Sequence, residues 1–319
     1  MRYFLLVIGL LALNGCAFVN IPLYTSTQPL EEKILEGDGR AKILILEISG
    51  VISIKQVDRY RLKEKESMVS LIKESIAKAK EDNRIVGVIL RINSPGGTVT
   101  GSDIIYHEVV RFKEEKELPV YACIMDVGAS GGYYVATAAD KIYSHPTSVT
   151  GSIGVIAVKF NIAPLLAKIG VEEDSIKSGD KKDLMSPFRG HTPEERAIIQ
   201  NIIDSLHKRF VDVIYKERGE LLTQDEIEAL ADGRVFLAQQ ALEAKLVDKI
   251  GYLEDAIEDI KALQNLKKAK VVTYYRPGDY KGTIYSQLSS ESPFAKLLES
   301  GLLPGQDSAG VKFMYLWNP

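Results

Sequence analysis

AKILILEIS (residues 41–49), MVSLIKESIAKAKED (68–82) and IVGVILRI (85–92) read in succession as strand, helix and strand. The outer runs are short, nearly all apolar and rich in isoleucine, which suits strands buried on both faces. The amphipathic stretch between them suits a covering helix. The pattern continues outward, with a helix expected over about 101–117 and a strand in PVYACIM (119–125). A second strand pair is expected in DKIYSH (140–145) and IGVIAVKF (153–160). Thr192, Pro193 and Glu195 have the spacing of a capping box with proline at the first helical position, opening a long helix to about Glu217. Thr223 and Glu226 repeat the signature before a short helix. Two further helices are expected at 237–244 and 253–266, and a late strand in VVTYY (271–275). The fold class is α/β, a parallel sheet with flanking helices.

The 319 residues can bury a large core, and the unbroken alternation favours one domain over two. Residues 1–15 open with Arg2 and an apolar run of 11 residues over 3–13, then reach Gly15 and Cys16, the form of an export signal. A membrane-spanning helix needs about 20 apolar residues, and Asn14, Asn20 and Pro22 interrupt the stretch. Leu13-Asn-Gly-Cys16 resembles the lipobox of bacterial lipoproteins, which makes Cys16 the expected lipidation site and places the protein at the cell membrane with its folded part on the extracytoplasmic side. Residues 16–38 read as a tether, 39–275 as the catalytic domain, and 276–319 as an extension. The terminal FMYLW (313–317) is apolar enough to dock, either as a strap on the core or as an oligomer contact.

Charge and cysteine use exclude several classes. The formal net charge is −3, with lysines and arginines dispersed among carboxylates, so there is no basic stripe for nucleic acid. Cys16 and Cys123 are the two cysteines, and Cys123 lies in an apolar run as a core thiol, which leaves no disulfide framework. No metal cluster or cofactor motif is expected.

Chemistry concentrates in four segments. Asn93-Ser-Pro-Gly-Gly97 follows a central strand and precedes a helix, so its amides sit at the carboxyl edge of the sheet, where α/β proteins place ligands. Two adjacent glycines there can offer backbone N–H groups as half of an oxyanion hole, the Gly131 amide being the other half. Gly128-Ala-Ser-Gly-Gly132 sets Ser130 on a small-residue turn after the next strand, as a nucleophile or as a helix-capping serine. GDKKDLMSPFRG supplies Lys181 and Lys182, of which one can face the serine and the other solvent; Lys182 is the candidate base. A free lysine titrates near ~10.4, so a base at neutral pH must be lowered by about 3 units through desolvation. Ser152, in Thr150-Gly-Ser-Ile-Gly154, can hold the lysine by a hydrogen bond or be an ordinary turn serine.

Four of these stretches, NSPGG (93–97), GASGGYY (128–134), TGSIGV (150–155) and KKDLMSP (181–187), resemble in order and spacing the short form of the bacterial signal peptide peptidase A family. The resemblance spans about 42–272. It implies a crotonase-like, Clp-type fold of ββα units, with Ser130 as nucleophile, Lys182 as general base, Ser152 orienting the lysine, and Gly97 and Gly131 as oxyanion amides. It further implies membrane-anchored, dome-shaped homo-oligomers that degrade signal peptides and similar apolar peptides, with serine and lysine of one site drawn from neighbouring subunits. The lipobox-like start departs from relatives that carry a transmembrane segment.

Rival readings are an α/β-hydrolase elbow and a noncatalytic binding or scaffold lipoprotein. The elbow needs aspartate and histidine after the serine, with His191 or His207 as candidates. A histidine-based Clp protease lacks a histidine between 155 and 182. A coenzyme A-binding hydratase would be parted from its cofactor by export.

Overall fold

A computed structural model of the chain describes residues 29–54, 57–58, 64–277, 284 and 313–317. The export signal, Cys16 and most of the tether lie outside the described residues. In chain order the elements are β1 (Glu31–Gly37), β2 (Lys42–Ser49), β3 (Val57–Asp58), β4 (Glu64–Lys65), α1 (Met68–Glu81), β5 (Ile85–Ser94), β6 (Gly96–Thr98), α2 (Val99–Lys116) and β7 (Val120–Ala129). They continue with α3 (Gly131–Ala136), β8 (Lys141–Ser144), β9 (Val149–Gly151), α4 (Ala163–Lys168), α5 (Pro193–Arg218) and α6 (Gln224–Leu230). The last are β10 (Val235–Leu237), α7 (Ala238–Glu243), β11 (Lys249–Ile250), α8 (Leu253–Leu263), β12 (Lys270–Tyr275) and β13 (Met314–Leu316).

The main sheet runs β1-β12-β2-β5-β7-β8-β11, parallel from β12 to β11. Strand alternation divides the core in two. Leu44, Leu46, Val88, Leu90, Val120, Ala122 and Ile142 face one side, beneath Val69, Ile72 and Ile76 of α1, Ile105 and Val109 of α2, and Phe210 and Ile214 of α5. Ile43, Ile45, Ile89, Tyr121, Cys123 and Tyr143 face the other, beneath Leu253, Ile257 and Ile260 of α8. The continuous apolar strands therefore serve two helical layers, and Cys123 is a buried thiol whose pKa burial pushes up. The mixed α/β architecture agrees with the sequence.

Both capping boxes form. Thr192 and Thr223 accept from the amides of Glu195 and Glu226, whose carboxylates return to the cap amides.

Two boundaries differ from expectation. The tether assigned to 16–38 ends in a strand, because β1 pairs antiparallel with β12 at the sheet edge. Its polar side faces solvent, so EEKILEG lacks the apolar run that marks an interior strand. Only Leu35 packs on the core, with Leu30 buried just before it. IGVIAVKF is not a regular strand either. β9, just before it, takes the place beside β7, while Ile156, Val158 and Phe160 are exposed. Ile156 makes a single bridge, to Met314 of β13.

β5, β6 and α2 form a ββα unit in which β6 leaves the main sheet and pairs with β13. The NSPGG and GASGG segments lie at the carboxyl ends of β5 and β7.

Candidate active site

Ser130 follows β7 with φ 53° and ψ −116°, a conformation that costs a side-chain-bearing residue about 1–3 kcal/mol. Its neighbours hold it there. The Ser130 N–H donates to the Gly151 carbonyl (2.7 Å), and the Ser130 carbonyl accepts from Tyr134 N–H (2.9 Å). Tyr133 and Tyr134 are fully buried and anchor the following turn, Tyr133 Oη donating to the Leu246 carbonyl (2.8 Å). The serine precedes α3, yet its hydroxyl makes no capping bond. Ser130 is 1% exposed and its Oγ has no hydrogen-bond partner among the described residues. A buried hydroxyl without a partner is costly, so this group is spent on neither packing nor capping.

The glycines of NSPGG lie against this turn. A Cβ on Gly96, which has φ 99°, would stand 2.7 Å from the Gly131 nitrogen and 2.0 Å from the Tyr315 carbonyl oxygen. A Cβ on Gly97 would stand 2.0 Å from the Ile52 carbonyl oxygen, and one on Gly131 would stand 2.3 Å from Ser102 Oγ. The glycines are therefore required by close backbone approach as well as by conformation. The turn is pinned from below: Ser94 Oγ donates to the Gly50 carbonyl (2.6 Å) and accepts from Gly96 N–H (3.1 Å). Asn93 Nδ2 donates to Asp126, and Asn93 Oδ1 accepts from Val127 N–H (3.2 Å), which ties the turn to β7. Gly96, Gly97, Ser130 and Gly131 are thus gathered at one place.

Ser152 follows Gly151, the residue that accepts from Ser130 N–H. It has φ 50°, is 7% exposed, and its amide donates to the Arg234 carbonyl (2.7 Å) beside the β9–β10 ladder. Both serines are held at positive φ on adjoining turns.

The lysine is elsewhere. Lys182 lies on an exposed turn, its amide donating to the Gly179 carbonyl (3.1 Å). Ser130 Oγ takes no hydrogen bond from it or from any other described residue. The turn is built by its neighbours: Asp183 accepts from Lys177 (2.5 Å) and Arg189 (2.7 Å), and Arg189 also reaches Glu195 of α5 (2.5 Å). The Arg189 guanidinium holds both carboxyls below their ordinary range. Lys181 pairs with Glu194 (2.6 Å), whose carboxylate raises the Lys181 pKa, the direction opposite to that a base requires. The structure thus separates the two neighbouring lysines, assigning Lys181 to an ion pair and leaving Lys182 outward.

The histidines of the rival triad are also apart from the serine. His207 Nε2 lies 2.8 Å from the Ala231 carbonyl, and His191 is on the exposed loop before α5.

Sequence reasoning missed the roles of Gly96, Ile52 and Ser102, contacts between segments distant in the chain. It left the tail 313–317 undecided, although its dense apolar and aromatic content marked it as a docking segment.

The profile of Peptidase family S49 matches residues 112–267. An Enterococcus faecium protein bearing the name signal peptide peptidase SppA is 37% identical over 256 residues, covering 80% of this chain and 73% of that protein. The chloroplastic serine protease SPPA of Arabidopsis thaliana is 34% identical over 68% of this chain and 32% of its own length. Protease 4 of Salmonella typhi is 32% identical over 60% of this chain and 31% of its own.

Proposed function

The chain belongs to peptidase family S49 and is a serine-type peptidase, and from that premise we propose that it is a membrane-associated endopeptidase cutting spent signal peptides and similar apolar peptides with Ser130 as nucleophile and Lys182 as base. The observation that carries the reading is Ser130 itself, a strained, buried serine whose hydroxyl has no partner among the described residues and whose neighbouring amides belong to glycines.

In this reading the neutral amine of Lys182 accepts the Ser130 proton as Oγ attacks the peptide carbonyl. The amides of Gly97 and Gly131 receive the negative charge on the carbonyl oxygen, in a site where they need no reorientation. The resulting ammonium then protonates the departing amine. Water hydrolyses the acyl-serine by the same route in reverse, its proton passing to the lysine, and Ser152 orients the lysine throughout.

An exposed lysine lacks the dry surroundings that such a base requires. A second copy of the chain can supply them. Lys182 belongs to a segment carrying exposed Ile156, Val158, Phe160, Leu165, Ile169 and Ile176, an apolar surface suited to burial against a neighbouring subunit. Lys182 of one copy would then serve Ser130 of the next in a closed ring.

Mixing tests this. Inactive Ser130→Ala and inactive Lys182→Ala proteins should regain a fraction of peptidase activity after subunit exchange, because some sites then contain both groups. No recovery after verified exchange would refute the shared site. Anchoring is tested separately. Cys16→Ser should release the protein from membranes, and an unmodified Cys16 in the mass spectrum of exported protein would refute lipidation. A tether concentrates the enzyme beside membrane-held peptides without altering the site.

A further inference from the structure

β7 changes partners on its way to Ser130. Residues 121–124 run beside β8, whereas residues 127–129 run beside β9. The change happens at a bulge. On its other edge β7 pairs with β5, where Ile92 faces Ile124 and Ser94 faces Gly128, so the single residue Asn93 stands against residues 125–127. A bulge of this form takes up two extra residues and keeps the alternation of faces along the strand. Laid out straight at ~3.3 Å per residue, those two would carry Ser130 about 7 Å farther along the sheet. It would then pass the Gly151 carbonyl that its amide meets and the glycine turn that Gly131 packs on.

The side chain of Asn93 holds the bulge. Its Oδ1 accepts from Val127 N–H (3.2 Å) and its Nδ2 donates to the Asp126 carboxylate (3.0 Å). The partners fix which end of the carboxamide is which, because an N–H donates and a carboxylate accepts. Asn93 is itself held from the β2 side, where its carbonyl accepts from Gly50 N–H (2.9 Å). Its backbone opens the NSPGG turn while its side chain sets the strand that carries Ser130, so one residue governs both halves of the candidate oxyanion hole. Beyond the bulge, Thr150 Oγ1 donates to the Gly128 carbonyl (2.6 Å) and fastens β7 to β9. Asn93 is half-buried and Asp126 exposed, and both lie outside the two core clusters. Their pairing therefore acts on the path of β7 more than on the packing of the interior.

We propose that Asn93 is a positioning residue of the peptidase reaction, its carboxamide setting the β7 bulge and with it the placement of Ser130 and the Gly131 amide against the Gly96–Gly97 turn. The inference rests on Ser130 being the nucleophile and on the Gly97 and Gly131 amides receiving the oxyanion. A misplacement of about 1 Å can cost roughly 100-fold in rate. Binding of an extended peptide is spread over many backbone contacts and tolerates such a shift better. Loss of the bulge should therefore appear in kcat and leave KM in place.

The test compares the wild-type chain with Asn93→Ala, Asn93→Asp, Asp126→Asn and the exchange that combines Asn93→Asp with Asp126→Asn. Each is assayed for kcat and KM on an apolar peptide, and for labelling of Ser130 by a fluorophosphonate located by mass spectrometry. The labelling end point counts folded sites and the labelling rate reports their geometry. Asn93→Ala and Asn93→Asp should lose roughly 10- to 100-fold in kcat and in labelling rate, with KM within about twofold and a full end point. Asp126→Asn keeps an oxygen to accept from the Asn93 amide and should stay near the wild-type rate. Asn93→Asp sets carboxylate against carboxylate, and the exchange re-forms the amide–carboxylate bond with the roles reversed. It should recover activity to within about threefold of the wild type, a coupling that independent sites would not show. Wild-type kcat in both Asn93 variants, an exchange no more active than Asn93→Asp, or losses confined to the end point would each overturn the proposal and leave Ser130 as the nucleophile. Hydrolysis that persists in Ser130→Ala would overturn the nucleophile, and the proposal with it.

Discussion

Replacing Ser130 with alanine should make the fold more stable. Ser130 Oγ is buried without a partner among the described residues, and an orphaned buried hydroxyl costs about 1–3 kcal/mol. Alanine removes that cost and fits the same space. The strain of φ 53° stays, since alanine also carries a Cβ, so it cancels from the comparison. A gain of about 1–2 kcal/mol is expected, or roughly 2–8 °C in Tm for a chain of this size. The measurement belongs in the Lys182→Ala background, where no lysine from the same or a neighbouring chain can bond the hydroxyl. Repeating it with Lys182 present completes a double-mutant cycle, and a smaller gain there measures the serine–lysine coupling. Urea denaturation with equal m-values in all four proteins would validate the comparison. Loss of stability in Ser130→Ala/Lys182→Ala relative to Lys182→Ala would show that the hydroxyl is paired in the folded chain, and the reading of Ser130 as a group held unpartnered for catalysis would fail.

Gly97→Ala should lower kcat by about 10²–10³, because a Cβ 2.0 Å from the Ile52 carbonyl must displace the amide assigned to the oxyanion; an alanine variant with full kcat would remove Gly97 from that role. Peptidase activity should rise through an apparent pKa of about 7–9, since only the neutral lysine accepts the serine proton, and a flat profile over that range would argue against the lysine. The acid side belongs to other groups. Asp183 and Glu195 have folded pKa values depressed by Arg189, so what they contribute to holding the Lys182 turn is complete above about pH 4.5 and is lost as pH falls through their folded values, about 2 for Glu195. Hydrogen exchange over 177–189 should accordingly stay constant from pH 5 to 9 after correction for intrinsic rates, and loosening within that window would contradict the assignment.

The interior of the fold was legible because local and global demands coincide there. AKILILEIS, IVGVILRI and VYACIM have no polar face, and a strand without one must be covered on both sides, which implies the layered sheet before any coordinate is known. The capping boxes at Thr192 and Thr223 are equally local, each closing over four residues. Edges were harder. EEKILEG becomes a strand only because β12 offers it a backbone to pair with, and IGVIAVKF stays irregular beyond Ile153 and Val155, which reach the core, because Ile156, Val158 and Phe160 are left exposed.

Sequence by itself determined the chemical inventory: a serine between glycines, a glycine pair after a central strand, adjacent lysines in a charged loop, and an apolar terminal run. Tertiary structure alone decided how they meet. It brought Gly96 against the Gly131 amide, gave Lys181 to Glu194 while turning Lys182 outward, and laid Tyr315 across Gly97. The physical reason is range. Turn propensity, capping and hydrophobic period act within a few residues, whereas the Gly96–Gly97 turn meets Gly131 and Tyr315, backbone groups more than thirty and two hundred residues away, only when the sheet has formed.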